Sequence, residues 1–141
     1  MIKILVLPFA EDEYPIRLAD GTSGTEGRVE IFFNVQWGSV CGWDWTSFQA
    51  GVVCRQLGLS GQSIPVLGNY EGETGTFHMK DVNCNGHEAR LTDCSFKGWG
   101  YGSLHCISVT VAGVICLTGN CKKKILCVFQ STYKGNLICI L

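Results

Sequence analysis

The sequence predicts an α+β domain built from mostly short strands and one main helix and cross-linked by disulfides. Three observations carry this. Residues 27–33 alternate in hydrophobicity, a capped helical segment follows Thr46, and nine cysteines are spread along 141 residues with no C-x-x-C pair. Strand periodicity in one stretch and helical periodicity in the next excludes an all-helical or all-β reading. The missing C-x-x-C removes the main support for zinc-ribbon, zinc-finger and thioredoxin readings. Widely spaced cysteines in a glycine-rich chain read as disulfides, hence as a protein of an oxidising, extracellular compartment.

The elements follow in chain order. In Gly27–Phe33, Val29, Ile31 and Phe33 share one face, and Arg28, Glu30 and Phe32 share the other. Trp37–Cys41 is a second short strand, and Asn34, Val35 and Gln36 turn the chain between them, so the two strands form a hairpin. Thr46 caps a helix, with Gln49 at its third position completing a capping box. Val52, Val53, Gln56 and Leu57 follow at helical spacing, and Gly58 supplies the left-handed stop. Residues 59–75 are glycine-rich, contain Pro65 and have little periodicity, which predicts a long loop. Phe77–Val82 and Val109–Cys116 are further strands.

Composition narrows the function classes. With 46% hydrophobic and 16% charged residues, the chain is neither disordered nor a charged nucleic-acid arm. Residues 1–116 hold all 12 acids against 7 Lys and Arg, a net of −5, so no nucleic-acid partner is expected. The tail 117–141 holds 4 Lys and no acid, a net of +4. Its apolar run Leu137–Leu141 and the run Ile4–Ala10 both fall far short of the ~20 residues that span a bilayer. Met1–Ala10 is also short for a secretory signal, and Pro8 sits where a small residue is wanted. The expectation is therefore a piece of a longer secreted protein or ectodomain, with 1–15 as an N-terminal extension.

Nothing in the sequence reads as catalytic, and no enzyme activity or cofactor is expected. His105 and Cys106 are adjacent, so on an extended strand they point to opposite faces and cannot act as base and nucleophile. No G-x-S-x-G elbow occurs, and Glu71 and Glu73 lie in the glycine-rich segment. His78 and His87 have no second ligand at metal-binding spacing.

A series of segments now becomes recognisable: Ile16-Arg17-Leu18, Glu26-Gly27-Arg28-Val29-Glu30, Trp37-Gly38-Ser39-Val40-Cys41 and Gly51-Val52-Val53-Cys54-Arg55-Gln56-Leu57-Gly58. Asp81-Val82-Asn83-Cys84, Leu91-Thr92-Asp93-Cys94 and Ala112-Gly113-Val114-Ile115-Cys116 complete it. In this order they resemble a scavenger receptor cysteine-rich (SRCR) domain, over residues 16–116. Thr25 and Leu59 stand where the eight-cysteine group carries an extra pair, so the chain resembles the six-cysteine group. Six cysteines allow 15 pairings. The resemblance selects Cys41–Cys106, Cys54–Cys116 and Cys84–Cys94, and implies a short curved antiparallel sheet with one main helix.

The resemblance also implies where ligands would bind. Many relatives hold a divalent cation through two acids after the cysteine equivalent to Cys41 and an acidic pair before the final Ala-Gly-Val. Here these positions read Gly42-Trp43 and Thr110-Val111, leaving Asp44 as a weak remnant. Hard cations need several oxygen ligands, so the cation site is expected to be lost. Gly27–Trp37 resembles a segment implicated in microbial and polyanion recognition, although the same pattern is also the core hairpin of the fold. Arg28, Glu30 and Phe32 on its outward face, together with Trp43 and Asp44, are the candidate ligand-binding residues.

The implied function is a non-catalytic extracellular module that binds a protein or a microbial surface. The alternative is an accessory domain of a larger secreted enzyme, since similar domains occur in proteases and lysyl oxidase-like proteins. The tail 117–141, with Lys122–Lys124 and three further cysteines, lies beyond the resemblance.

Overall fold

The computed structural model describes residues 13–59, 62–68, 75–100, 106 and 111–117. Its spine is β2 (Glu26–Phe33), which is paired on both edges. Along one edge runs β1 (Ile16–Ala19), antiparallel, with Arg17 opposite Glu30. Arg28 pairs with both β1 and β7 (Val111–Cys116), and Glu30 pairs with both β1 and β3 (Gln36–Val40). The second edge of β2 is therefore shared by β7 along its first half and β3 along its second, and a bridge from Cys41 to Val111 closes the junction. Two strands meeting on one edge are what curls this sheet.

The β2–β3 hairpin turns on Asn34 and Val35 alone, with Gln36 already paired to Phe33. Both turn residues have positive φ, 49° and 63°, as a two-residue hairpin loop that matches strand twist requires. Beyond β3 lies β5 (Phe77–Asn83), which is parallel to it, a departure from the all-antiparallel expectation. Short β6 (Ser95–Lys97) pairs with the far side of β5.

Helix α1 (Ser47–Gln56) starts and stops where the sequence places its caps. Thr46 accepts the Phe48 N–H, and the Gln49 side chain accepts the Thr46 N–H, the predicted capping box. Gly58 has φ 74° just past the end, a conformation that only a residue without Cβ adopts freely. Gln49 through Cys54 are all buried, so the helix is covered on more than one side. Val52 and Val53 join Val29, Ile31, Val40, Met79, Leu91 and Val114 in the main core.

Residues 59–75 are not the continuous loop expected. Ser63–Gly68 forms β4, antiparallel to β7 over its full length. The hydrogen bond from Leu117 N–H to the Gln62 carbonyl sets the register. It turns the missing N–H of Pro65 to the edge away from β7, where a proline costs nothing and discourages further pairing. The proline and the weak alternation hid this strand from the sequence.

Three disulfides tie these pieces together. Cys41–Cys106, Cys54–Cys116 and Cys84–Cys94 have Cα separations of 5.8, 5.7 and 4.8 Å. Cys54–Cys116 fastens α1 to β7, and Cys84–Cys94 closes a local loop of separation 10. In the chain-entropy model the two long loops contribute about 4 kcal/mol each and the short one about 3 kcal/mol.

A buried charge cluster lies on the face of β2 opposite Val29 and Ile31. Arg28 and Glu30 are 2% and 0% exposed. Glu30 accepts from Arg28 at 2.7 Å and from Arg17 at 2.6 Å, and Arg28 also reaches Asp20 at 2.7 Å. Two cations and two carboxylates alternate, so the cluster is neutral. The Arg17 guanidinium lies 4.2 Å from the Trp37 ring centre, which extends the cluster into a cation–π contact. Removing one partner of a buried pair strands the other charge, at a cost of about 3–5 kcal/mol. We therefore expect Glu30→Leu to lose about that much in chemical denaturation, and Arg28→Met combined with Glu30→Leu to recover most of it. A near-neutral Glu30→Leu would mean that the cluster is solvated in solution.

Candidate functional site

The connection between β3 and α1 brings the surface candidates together. Its base is rigid. Cys41 and Gly42 are buried, and Trp45 is 6% exposed, with its indole Nε1–H donating to the Gly113 carbonyl at 2.9 Å. That bond crosses 68 residues of sequence and nails the connection to β7. The Gln49 amide donates to the Asp44 carbonyl at 3.2 Å and to the Val82 carbonyl at 2.7 Å, tying the connection to β5 as well. On this base Trp43 is 51% exposed and Phe48, in the first turn of α1, is 56% exposed. Asp44 lies between them in sequence, exposed and at φ 58°.

Phe48 extends over a second element, the turn at 85–88. A Cβ built on Gly86 would come within 2.9 Å of the Phe48 ring, and Gly86 has φ 95°, so the close approach of ring and backbone requires glycine. The Glu88 carboxylate organises this turn, accepting the Asn85 N–H at 2.6 Å and the Gly86 N–H at 3.0 Å. Arg55 of α1 donates to the Glu88 carbonyl at 2.8 Å and holds the turn against the helix. Partial desolvation pushes the Glu88 carboxyl up. The N–H groups of Asn85, Glu88 and Gly86, with His87 nearby, outweigh it and leave the carboxyl below its ordinary value.

The hairpin face differs from its prediction. Arg28 and Glu30 were expected to face a ligand, yet both are buried in the ion cluster. Alternation assigns residues to two faces but cannot say what covers each face; here β1 delivers Arg17 and the turn after it delivers Asp20. Phe32 does lie on that face, half-buried, with its ring 5.3 Å from that of Trp37. At the hairpin tip Val35 is 88% exposed. It lies at the opposite end of β3 from Trp43.

The remaining polar candidates are accounted for as follows. His78 is buried, its Nε2 lies 3.1 Å from the Gln36 carbonyl, and its ring meets Phe33 edge-on. Gly38 is glycine because a Cβ there would collide with the His78 ring at 2.2 Å. Phe33, Trp99, Tyr14 and Phe96 form an aromatic cluster, with Phe33 and Trp99 stacked at 4.1 Å. Among the described residues, the one grouping with metal-ligand spacing is Cys84, Glu88 and Cys94, and its two sulfurs are joined in a disulfide. Cys106 is bonded to Cys41, and His105, Thr110, Glu71 and Glu73 lie outside the described residues. Val111, the other half of the expected acidic position, is buried. Sequence reasoning missed Phe48 and the Glu88 bonds, because which side of α1 the strands cover, and which groups meet across a turn, are decided only in the assembled fold.

A family model described as the scavenger receptor cysteine-rich domain matches residues 19–117. The chain belongs to the scavenger receptor cysteine-rich family. Two solved structures are similar to this SRCR domain. The third SRCR domain of murine neurotrypsin is 44% identical with a TM-score of 0.65, and the match covers 73% of this chain and 95% of that one. The SRCR domain of mouse MARCO, in its dimeric form, is 38% identical with a TM-score of 0.58, covering 65% of this chain and 86% of that one. Domains of this family are disulfide-bonded extracellular modules, typically non-catalytic. Among the described residues, no helix is long and apolar enough to cross a membrane.

The Glu88 geometry has a pH signature. Its carboxyl is lowered in the folded SRCR domain, so its contribution to stability is complete above the ordinary carboxylate range and disappears as pH falls through the lowered folded value. Glu88→Gln should therefore melt below the wild type at neutral pH, and the two melting curves should converge in acid. A gap that persists at low pH would locate the role of Glu88 in packing and not in its charge.

Proposed function

We propose that this SRCR domain is a non-catalytic, extracellular ligand-binding module that contacts a protein ligand through the β3–α1 connection, without a bridging cation. The observation that carries the reading is the pair of exposed aromatics, Trp43 on the connection and Phe48 in the first turn of α1, over a base anchored by Cys41, Trp45 and Gln49. Large aromatics on a fixed base bring apolar area to an interface with little loss of conformational freedom. Asp44 between them adds a carboxylate able to accept hydrogen bonds or pair with a cationic side chain of the ligand. Trp43 replaces an acid that cation-dependent relatives use, so apolar contact takes the place of metal-mediated contact. Arg28 and Glu30, spent on each other, do not take part; Phe32 contributes at most an edge at the other end of the hairpin.

A second reading makes the same surface a docking face within a larger secreted enzyme, with this SRCR domain as an accessory unit. The likeness to a domain that is the third of its kind in neurotrypsin is compatible with it. Microbial surfaces are the competing ligand class.

The full oxidised chain, immobilised and exposed to a panel of extracellular proteins and of killed bacteria, tests the reading. Trp43→Ala and Phe48→Ala should each weaken protein capture at least tenfold, about 1.4 kcal/mol, while leaving the melting temperature within a few degrees. Capture by bacteria alone, or capture unaffected by both substitutions, would overturn it.

Metal supplies a separate test. A ligand that binds only the native state raises the melting temperature by mass action. Millimolar calcium or magnesium should leave the melting temperature of the oxidised chain unchanged, and chelator should leave capture unchanged. Calcium-dependent stabilisation that disappears in Asp44→Ala would restore the cation-mediated mechanism.

A further inference from the structure

We infer that Asn85 is a built-in modification site: the folded 85–88 turn promotes cyclisation of Asn85 onto the Gly86 nitrogen, converting the asparagine to aspartate and isoaspartate. The inference is independent of the binding surface proposed above. Asn85-Gly86 is the one Asn-Gly dipeptide in the sequence, and glycine leaves the attacking nitrogen uncrowded. Asn85 is exposed, so water reaches it. A dipeptide alone would be an unremarkable liability. The hydrogen bonds around it carry the proposal.

Cyclisation needs a group to take the proton of the Gly86 N–H and a donor to stabilise negative charge on the side-chain oxygen of Asn85. Both are present. Glu88 Oε2 accepts the Gly86 N–H at 3.0 Å. The His87 N–H donates to Asn85 Oδ1 at 2.8 Å, closing a hydrogen-bonded ring that contains both the Asn85 Cγ and the Gly86 N. The carboxylate is further fixed by the Asn85 N–H at 2.6 Å, and Arg55 anchors the turn through the Glu88 carbonyl. A carboxylate is ionised at neutral pH, so Glu88 is in the form that can take this proton.

The step balances as follows. The Gly86 N–H proton passes to the Glu88 carboxylate, and the nitrogen attacks Asn85 Cγ. Negative charge develops on Oδ1, facing the His87 N–H. The Cγ–Nδ2 bond then breaks, Nδ2 takes the proton back from Glu88, and ammonia leaves. Water opens the resulting five-membered imide at either carbonyl, giving aspartate or isoaspartate. One water is consumed and one ammonia released, and Glu88 is regenerated. The product carries a new negative charge beneath Phe48 and beside Glu88. Isoaspartate also lengthens the main chain immediately after Cys84. The turn therefore ages at a rate set by its own fold.

The test uses the full oxidised chain, incubated at neutral pH and body temperature and followed by peptide mass spectrometry and isoaspartyl methyl-transfer labelling. Asn85 should convert several-fold faster in the native chain than in the same chain reduced and denatured, while Asn34 and Asn83 stay intact. Glu88→Gln, with its melting transition first checked to lie above the incubation temperature, should convert several-fold more slowly than the native wild type. The denatured forms of the two chains should react alike. Native conversion no faster than denatured conversion, or native Glu88→Gln reacting at the wild-type rate, would overturn the proposal.

Discussion

The rest of the fold depends on two opposite charges on one strand with no solvent to receive them. Arg28 and Glu30 lie two residues apart on β2, so they share a face, and both edges of β2 are paired. Charges buried this way persist only if other charges neutralise them. Arg17 from β1 and Asp20 from the turn after it do so, and Trp37 covers Arg17. The arrangement fixes β1 on the edge of β2 and the hairpin beside it, in one register. An apolar face could slide by two residues at little cost; a chain of alternating charges cannot. The ion cluster therefore supplies specificity to the sheet, while Val29 and Ile31 on the opposite face supply burial.

The curl of the sheet follows from two strands sharing one edge of β2, and the covalent cross-links hold that curl. Cys41–Cys106 lies where β3 meets β7, and Cys54–Cys116 fastens α1 across the same strand. The segment between Cys41 and Cys54 is thus held at both ends. Trp45 and Gln49 pin its middle, so that Trp43 and Phe48 have nowhere to go but outward. Their exposure results from the anchoring of their neighbours, which is why a short connection can present large aromatics without collapsing over them.

The same logic extends to the turn beneath Phe48. Glu88 satisfies two backbone N–H groups that no strand or helix takes up, Arg55 holds the turn to α1, and Gly86 lets the ring approach. The exposed Phe48, the capping carboxylate of Glu88 and the Asn85-Gly86 dipeptide are consequently one mechanical unit with α1, whose position is set by its bond to β7. Altering any one of them is felt by the others through fixed contacts of 3 Å or less, among them those of Glu88.

The sequence by itself determined the local structure. Thr46 and Gln49 announced the capping box, Gly58 the helix end, and alternation from 27 to 33 the spine strand, because each rests on interactions within a few residues. The order of the motifs around six cysteines determined the family and with it the pairing of the disulfides, which spacing alone left among 15 possibilities. Tertiary structure decided what covers each face. Alternation put Arg28 and Glu30 together, and only the arrival of β1 turned them from a surface into a buried cluster. Pro65 made β4 unreadable, because a proline fits a strand only when the other edge is free, and edges are a property of the assembled sheet. The exposure of Phe48 was decided by which sides of α1 the strands took. The Glu88 bonds, too, appear only once the chain has turned at Gly86, since proximity across a turn is set by backbone conformation that the residue names do not state.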